Sequence, residues 1–250
     1  VQNHLLQLVS YVLMDQPEDF SSRSIHTKQV ELLKKIKPKG LVLAQYDAKG
    51  ELKRYRDEPK VASDSMTETY VALDLAVEDE RFKGVPIFLR TGKRLDQRAT
   101  YITVIFKPAQ GGLFGSLDPQ REMLIIKIQP DEGVYFRFNA KKPGIAQAVS
   151  PVIMNFCQSC IYENRINTPE AYERLLNDAF AQDKALFTSW DMVDLTWGFA
   201  STLDQFKKDH DLPLHFYPSE SKGPQAADDL LNEYGSNWIP ADITEEAYPN

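Results

Sequence analysis

The sequence predicts an α+β fold, with a large, mostly antiparallel sheet and helices packed on one of its faces. Residues 1–37 and the last third of the chain repeat apolar side chains every three or four positions, which is typical of helices. Residues 41 to about 140 change to a period of two, which is typical of strands. Because short turns separate several of these strands, we expect antiparallel pairing in one broad sheet.

Two helices are predicted ahead of the sheet. The first repeats apolar residues from Leu5 to Leu13 and ends near Met14. The second runs from about Ile25 to Ile36 and ends at Pro38-Lys39-Gly40. The chain has no starting methionine, and no capping Ser, Thr, Asp or Asn precedes its first turn. We therefore expect it to be cut from a longer protein.

Six segments are strand candidates, because β-branched and aromatic residues alternate or cluster in each of them between turn signals. They span residues 41–46, 69–77, 85–90, 101–106, 123–129 and 134–138.

Beyond the strands the pattern is helical again. Thr168 and Pro169 are suited to begin one helix. Its predicted apolar face comprises Ala171, Tyr172, Leu175, Leu176, Ala179 and Phe180. Ser189 is suited to cap another helix. The side chains predicted to point inward from it are Val193, Trp197, Ala200, Leu203 and Phe206. The tail from about Leu212 has several prolines and few strong signals.

Composition excludes several classes of function. Of the 250 residues, 42% are hydrophobic and 26% charged, which is ordinary for a soluble globular protein. The formal net charge of −7 argues against nucleic acid or a membrane surface as a partner. No apolar run approaches the roughly 18 residues of a membrane-spanning helix. With only two cysteines, we expect a reduced, cytoplasmic protein.

The chain lacks a dinucleotide-binding fingerprint. Its nearest glycine cluster, Gly111-Gly112-x-x-Gly115, lies in a polar connection between two strand candidates and opens no helix. Such a fingerprint needs the helix, because the helix N-terminus binds the pyrophosphate. We therefore expect no coenzyme-binding domain within this chain.

His4 is the first candidate for chemistry, because imidazole exchanges protons near neutral pH. As a general base it would take the proton from a hydroxyl group that also loses hydride. The alternative is a helix histidine with structural hydrogen bonds only, and spacing does not separate the two.

A basic segment follows the third predicted strand. Arg90, Lys93, Arg94 and Arg98 fall within nine residues of an otherwise acidic protein. Ammonium and guanidinium groups suit a phosphate or a polyhydroxyl ring. The segment is therefore a candidate anion site, with a solvated basic turn as the alternative.

Two further patterns are weaker. Gln129 ends a strand candidate and could direct its amide at a sugar hydroxyl, or be an ordinary edge residue. Cys157 and Cys160 have C-x-x-C spacing, but no second Cys or His pair follows to complete a zinc site. We therefore predict two incidental thiols and no metal.

Taken in order, several stretches resemble the glucose-6-phosphate dehydrogenase family. They are Gln2-Asn-His-Leu-Leu-Gln7, Gly84-Val-Pro-Ile-Phe-Leu-Arg-Thr-Gly-Lys93, Ile128-Gln-Pro130, Lys141-Lys-Pro-Gly144, Pro169-Glu-Ala-Tyr-Glu-Arg-Leu175 and Gly223-Pro224. The likeness runs from residue 1 to about residue 224. It implies that residues 1–250 are the family's C-terminal substrate and dimerisation domain.

The resemblance also implies a function. The family oxidises D-glucose 6-phosphate to 6-phosphogluconolactone and passes hydride to NADP, or in some members to NAD, in the pentose phosphate pathway. By position, His4 would be the catalytic base, and Lys93, Arg98 and Gln129 would bind the substrate. The family's large sheet builds a homodimer, so a homodimer is implied here as well.

The departures from the family are informative. Its N-terminal Rossmann domain, which binds most of the NADP, is missing, and we expect the chain alone to be inactive. Some members bind a second, structural NADP. Arg90 and Lys222 match two of its basic positions, but Ala99 and Thr103 stand at two others, so we expect no such site.

Two alternatives to the enzyme fragment keep the same fold. One is a non-catalytic assembly or interaction protein, against which the joint presence of His4, Lys93, Arg98 and Gln129 argues. The other is a sugar-phosphate-binding module that works alone, which tight binding of glucose 6-phosphate by the isolated chain would favour.

Overall fold

The computed structural model describes residues 1–108, 120–130, 132–144, 148–157 and 171–240. The chain divides into two compact units. The first consists of Val1–Asp96 and Glu170–Asn237, and the second of Gln97–Pro169 and Trp238–Asn250. Each unit contains a sheet, and the described helices belong to the first unit. The predicted α+β class is confirmed.

The sheet of the first unit contains four strands. They are β1 (Ile36–Asp47), β2 (Tyr70–Val77), β3 (Ile87–Gly92) and β8 (Leu214–Pro218). Their order is β3–β2–β1–β8. β2 pairs antiparallel with β1 and β3, whereas β8 pairs parallel with β1. The parallel pairing brings a segment from late in the chain to the side of β1.

Helices supply the rest of the first unit. They are α1 (His4–Leu13), α2 (Ser22–Leu33), α3 (Ala171–Phe180), α4 (Trp190–Asp209) and α5 (Gln225–Asn232). α1, α2 and α4 bury apolar side chains against β1 and β2. The resulting core comprises Leu6, Val9, Leu32, Leu33, Ile36, Leu41, Leu43, Leu73, Leu75, Met192, Phe199 and Leu203. Burial of each large side chain contributes about 1.5–3 kcal/mol to folding.

The sheet of the second unit also contains four strands. They are β4 (Thr100–Ile105), β5 (Met123–Gln129), β6 (Gly133–Lys141) and β7 (Val149–Cys157), paired antiparallel in chain order. Met123 and Ile125 are buried on one face, and alternation places Leu124 and Ile126 on the other. The strands thus form two four-stranded sheets where the sequence predicted one.

Several strand boundaries and elements differ from the prediction. β1 begins at Ile36, where α2 was predicted to end, and a register shift between Pro38 and Gly40 accommodates the proline. β7 was not predicted, and β8 and α5 lie in the tail that gave few signals. α5 packs on the face of β1 opposite the main core, where Leu230 contacts Gly40.

α4 begins as predicted but buries a different side. The Ser189 hydroxyl accepts a hydrogen bond from the Met192 amide at 3.3 Å, which caps the helix. The buried side comprises Met192, Thr196, Phe199 and Leu203. Trp197 is 59% exposed, so its predicted inward position was wrong.

Part of the apolar face predicted for α3 is exposed to solvent. Tyr172, Leu176 and Phe180 recur every four positions and are all exposed. Thr168 and Pro169, the predicted start of this helix, lie outside the described residues, as does the glycine cluster at 111–115.

The two cysteines are not both incidental thiols. Cys157, at the end of β7, is disulfide-bonded, and Cys160 lies outside the described residues. In the described part of the chain, no group of three or more His, Cys, Asp or Glu side chains could hold a metal.

Across the described ranges, no helix is both long enough and apolar enough to cross a membrane.

An ion pair joins the α2–β1 connection to the β2–β3 connection, and it makes stability depend on pH. Lys35 Nζ lies 2.8 Å from Asp79 Oδ2. Hydrogen bonds from Lys35 and from the Arg81 amide lower the pKa of Asp79 from its ordinary 3.8 to about 2. The folded state therefore gains stability from this carboxylate above about pH 3.8, and loses it as the pH falls towards 2.

We expect Asp79→Asn to lower the denaturant midpoint at pH 7, because the asparagine amide has no negative charge to pair with the Lys35 ammonium group. The difference from the wild type should shrink between pH 4 and pH 2. Glu78→Gln, which breaks an exposed pair with Lys37, should change the midpoint little. Equal midpoints of Asp79→Asn and the wild type at pH 7 would contradict this account.

Candidate active site

An open cleft of ≈ 940 Å³ lies in the first unit. Val1 and Gln2, just ahead of α1, line one part of it, and residues 91–94 at the end of β3 line another. Leu203 and Asp204 of α4 also contribute. The cleft therefore lies between the two residues just ahead of α1 and the basic segment, and His4 itself does not line it.

Two of the four basic side chains at positions 90–98 serve the fold. The Arg94 guanidinium donates to Glu58 Oε1 at 2.5 Å and lies 4.8 Å from the centre of the Tyr46 ring. Arg90 donates to the carbonyl oxygen of Lys222 at 3.3 Å. Both guanidinium groups are therefore engaged by partners within the chain.

Lys93 and Arg98 are different. Both side chains are exposed, and neither makes a hydrogen bond or ion pair across the residues that the structure describes. Lys93 also lines the cleft. A cation without an internal partner is available to an anionic or hydroxyl-bearing ligand.

Glycines at two positions make room for a buried aromatic ring beside Lys93. Tyr70 is 1% exposed, and a Cβ at Gly92 would lie 2.6 Å from its Cδ2 atom. A Cβ at Gly223, where φ is 114°, would lie 2.7 Å from its Cε2 atom. Burial raises the pKa of Tyr70 to about 12, although the nearby Arg90 charge acts in the opposite direction. The phenol is therefore neutral at physiological pH.

His4 is the first residue of α1, and its side chain is exposed. Within the described residues its ring makes no hydrogen bond or ion pair. Gln2 anchors this end of the helix, because its Nε2 donates to Thr196 Oγ1 at 2.9 Å. Asn3, the N-cap residue, makes no side-chain capping bond. The imidazole is thus available for proton transfer, two residues beyond the cleft-lining Gln2.

Gln129 and Arg98 belong to the second unit. Gln129 is the last residue of β5, opposite Thr100 of β4, and its side chain is exposed. The four predicted site residues therefore fall into two pairs. His4 and Lys93 belong to the unit that contains the cleft, and Arg98 and Gln129 belong to the other.

The sequence did not indicate the residues that hold the basic segment in place. Thr69 and Tyr217 both hydrogen-bond to the backbone of Lys93. Tyr217 lies in β8, whose short run Leu214–Pro218 alternates weakly and contains a proline. That alternation was the one available signal. The parallel pairing joins β8 to β1, and these segments are too far apart in sequence for spacing to predict it.

Comparison with known sequences places these features in a family. The sequence model for the glucose-6-phosphate dehydrogenase C-terminal domain matches residues 1–239. The glucose-6-phosphate 1-dehydrogenase of Chlamydia muridarum is 43% identical, over 95% of this chain and 49% of its own length. That of Bacillus subtilis is 36% identical, over 95% of this chain and 51% of its own. The chain spans about half the length of the curated relatives it matches.

Solved structures agree with this result. A glucose-6-phosphate dehydrogenase in complex with its substrate glucose-6-phosphate has a TM-score of 0.85 and 30% identity. The match covers 96% of this chain and 50% of that one. The glucose-6-phosphate 1-dehydrogenase of Mycobacterium avium has a TM-score of 0.77 and 30% identity, over 98% of this chain and 50% of its own.

The contact between Gly92 and Tyr70 provides a test of how the site is built. We expect Gly92→Ala to lower the free energy of unfolding by about 1–3 kcal/mol, because the added methyl overpacks the ring. Gly198→Ala, at an exposed position of α4, is the matched control, because the added Cβ would meet nothing within 4 Å. It should raise stability by up to about 1 kcal/mol. Denaturant unfolding of both variants measures this, and an unchanged or higher stability of Gly92→Ala would contradict the packing argument.

Proposed function

Since this chain belongs to the glucose-6-phosphate dehydrogenase family, we propose that it is the substrate-binding half of an enzyme that oxidises D-glucose 6-phosphate. The product is 6-phospho-D-glucono-1,5-lactone. Because the chain spans about half the length of these relatives, the proposed activity is that of a longer parent enzyme that contains this chain.

One observation carries the proposal. The cleft is lined by both Gln2, two residues before His4, and Lys93, whose ammonium group is exposed and has no partner across the described ranges. A proton acceptor near one part of a cleft and a cation at another suit a phosphorylated sugar that must lose a hydroxyl proton. The relative whose structure contains glucose-6-phosphate supports the same substrate.

In the proposed reaction, C1 of the sugar loses a hydride and its hydroxyl group loses a proton. Its hydroxyl proton passes to the His4 imidazole, while C1 and its oxygen become the lactone carbonyl. NADP, when bound, supplies the nicotinamide that accepts the hydride from C1. Lys93 anchors the substrate through its ammonium group. The substrate-binding roles of Arg98 and Gln129 stay predictions from the family resemblance.

Among the described residues, the glycine turn ahead of α5 does not fit the NADP that accepts the hydride. After β8 the chain turns through Gly223 into α5, but the space beside Gly223 is filled by Tyr70. The Tyr70 ring therefore occupies the space beside this glycine, and a pyrophosphate has no room to bind there. We propose that the N-terminal half of the parent enzyme holds the coenzyme.

We also propose a homodimer formed through the sheet of the second unit. One face of this sheet carries apolar side chains in cross-strand register, including Val104, Leu124, Phe136 and Met154. Met154 is 62% exposed, and other members of this face are also open to solvent. Such a surface is typical of a protein interface.

The role of His4 is tested in the intact parent enzyme. We expect His4→Asn to lower kcat by about 10²–10⁴, because a positioned base contributes that much, with little change in KM for glucose 6-phosphate. His210→Asn replaces another exposed histidine of the same unit and should leave kcat unchanged. Steady-state formation of NADPH measures both, and the isolated 250-residue chain should form none. A near-normal kcat of His4→Asn would remove the histidine from the base role.

The dimer is tested with a charge on the apolar face. We expect Met154→Glu to raise the dimer dissociation constant about 100-fold, because an unpaired buried carboxylate costs roughly 3 kcal/mol. Asn155→Glu adds the same charge on the opposite face of β7 and should have little effect. Sedimentation equilibrium of the chain measures the constants. Equal effects of the two variants, or a monomeric wild type, would contradict this interface.

A further inference from the structure

Two other parts of the chain hold the backbone of Lys93: Thr69, just ahead of β2, and Tyr217, in β8. Its amide donates to the carbonyl oxygen of Thr69 at 2.9 Å. Its own carbonyl oxygen accepts from the Tyr217 hydroxyl at 2.7 Å. The side chain beyond this fixed backbone is exposed and makes no hydrogen bond or ion pair with the described residues. The two bonds therefore fix the point on the backbone from which the Lys93 side chain extends.

The Tyr217 hydroxyl is well suited to this contact. It is buried, with 1% of the residue exposed, and burial raises the pKa of Tyr217, so the hydroxyl keeps its proton. Its other neighbours are Thr69 Oγ1 at 3.2 Å and the Thr69 carbonyl at 3.4 Å. The bond to Lys93 is the shortest of the three, which makes the Lys93 carbonyl the acceptor of the single phenolic proton.

Thr69 completes a chain of hydrogen bonds. Its Oγ1 accepts from the Tyr46 amide at 2.9 Å, so its own proton is available to the Tyr217 oxygen. The donors then follow one direction, from β1 through Thr69 and Tyr217 to Lys93, and each bond polarises the next.

The residues after Lys93 are bound to the same distant segment. The Glu220 amide donates to the Arg94 carbonyl at 2.7 Å, and the Asp96 amide donates to the Ser221 carbonyl at 3.0 Å. Arg94 itself adopts φ 49°, a left-handed conformation that is unusual for a side chain of this size. β8 and the residues after it thus set the path of the basic segment, and Tyr217 in β8 makes the buried contact.

We propose that Tyr217 is a positioning residue, which acts on the substrate through Lys93 and does not touch it. By fixing the Lys93 carbonyl, the phenol orients the ammonium group toward the phosphorylated sugar. This inference rests on the proposed function of the cleft. It names a further residue on which the affinity of the cleft for the phosphorylated sugar depends.

The first test is kinetic and uses the parent enzyme. We expect Tyr217→Phe, which deletes one oxygen atom, to raise KM for glucose 6-phosphate about 3- to 10-fold, the effect of one uncharged hydrogen bond. kcat and KM for NADP should change less than about twofold, because the contact is equal in ground and transition states. In a Lys93→Ala background the same substitution should have no further effect on KM. Tyr234→Phe, which removes the phenol that donates to Asp74 at 2.5 Å, is the matched control and should leave KM unchanged.

The outcomes separate this inference from the function it rests on. If Lys93→Ala leaves KM for glucose 6-phosphate unchanged, the proposed function of the cleft is wrong. If Lys93→Ala raises KM but Tyr217→Phe does not, or if Tyr217→Phe acts equally in both backgrounds, the positioning role is overturned.

A second test needs no turnover. Amide hydrogen exchange in the 250-residue chain should show faster exchange at Lys93 in Tyr217→Phe, because the bond to Thr69 loses its neighbouring support. Tyr234→Phe should leave the Lys93 amide as protected as in the wild type. Unchanged protection of Lys93 in Tyr217→Phe would overturn the inference.

Discussion

Two buried phenols at one end of the first sheet determine where the basic segment lies. The ring centres of Tyr70, in β2, and Tyr217, in β8, are 5.4 Å apart. Tyr70 fills the space that Gly92 and Gly223 leave open, and Tyr217 binds the carbonyl oxygen of Lys93. Because both hydroxyl groups are buried and neutral, this contact is insensitive to pH over the physiological range. The cleft beside it depends on the same packing.

Much of the fold followed from local pattern, and the exceptions have physical causes. The period-two segments became strands because their alternation matches a sheet with one buried face, as in β5. β8 escaped prediction because a five-residue strand with a parallel partner depends on a distant neighbour. The apolar face predicted for α3 exposes Tyr172 and Phe180. Periodicity identifies an apolar face, but it does not identify what covers it.

The site was predictable in part for a similar reason. Residue type indicated that His4 and the basic run could carry chemistry, and a family likeness selected Lys93 and Arg98 from the run. The structure supplies a physical distinction that sequence lacks, since Arg94 is paired with Glu58 whereas Lys93 has no partner in the described part of the chain. Charge can be counted in a sequence, but pairing of charges depends on tertiary contacts.

The most direct measurement is a crystal structure of the parent enzyme with glucose 6-phosphate bound. The account predicts the sugar in the cleft, with a ring nitrogen of His4 about 2.6–3.2 Å from the C1 hydroxyl oxygen and Lys93 Nζ in contact with the substrate. A sugar phosphate bound elsewhere, with His4 and Lys93 both facing solvent, would contradict it.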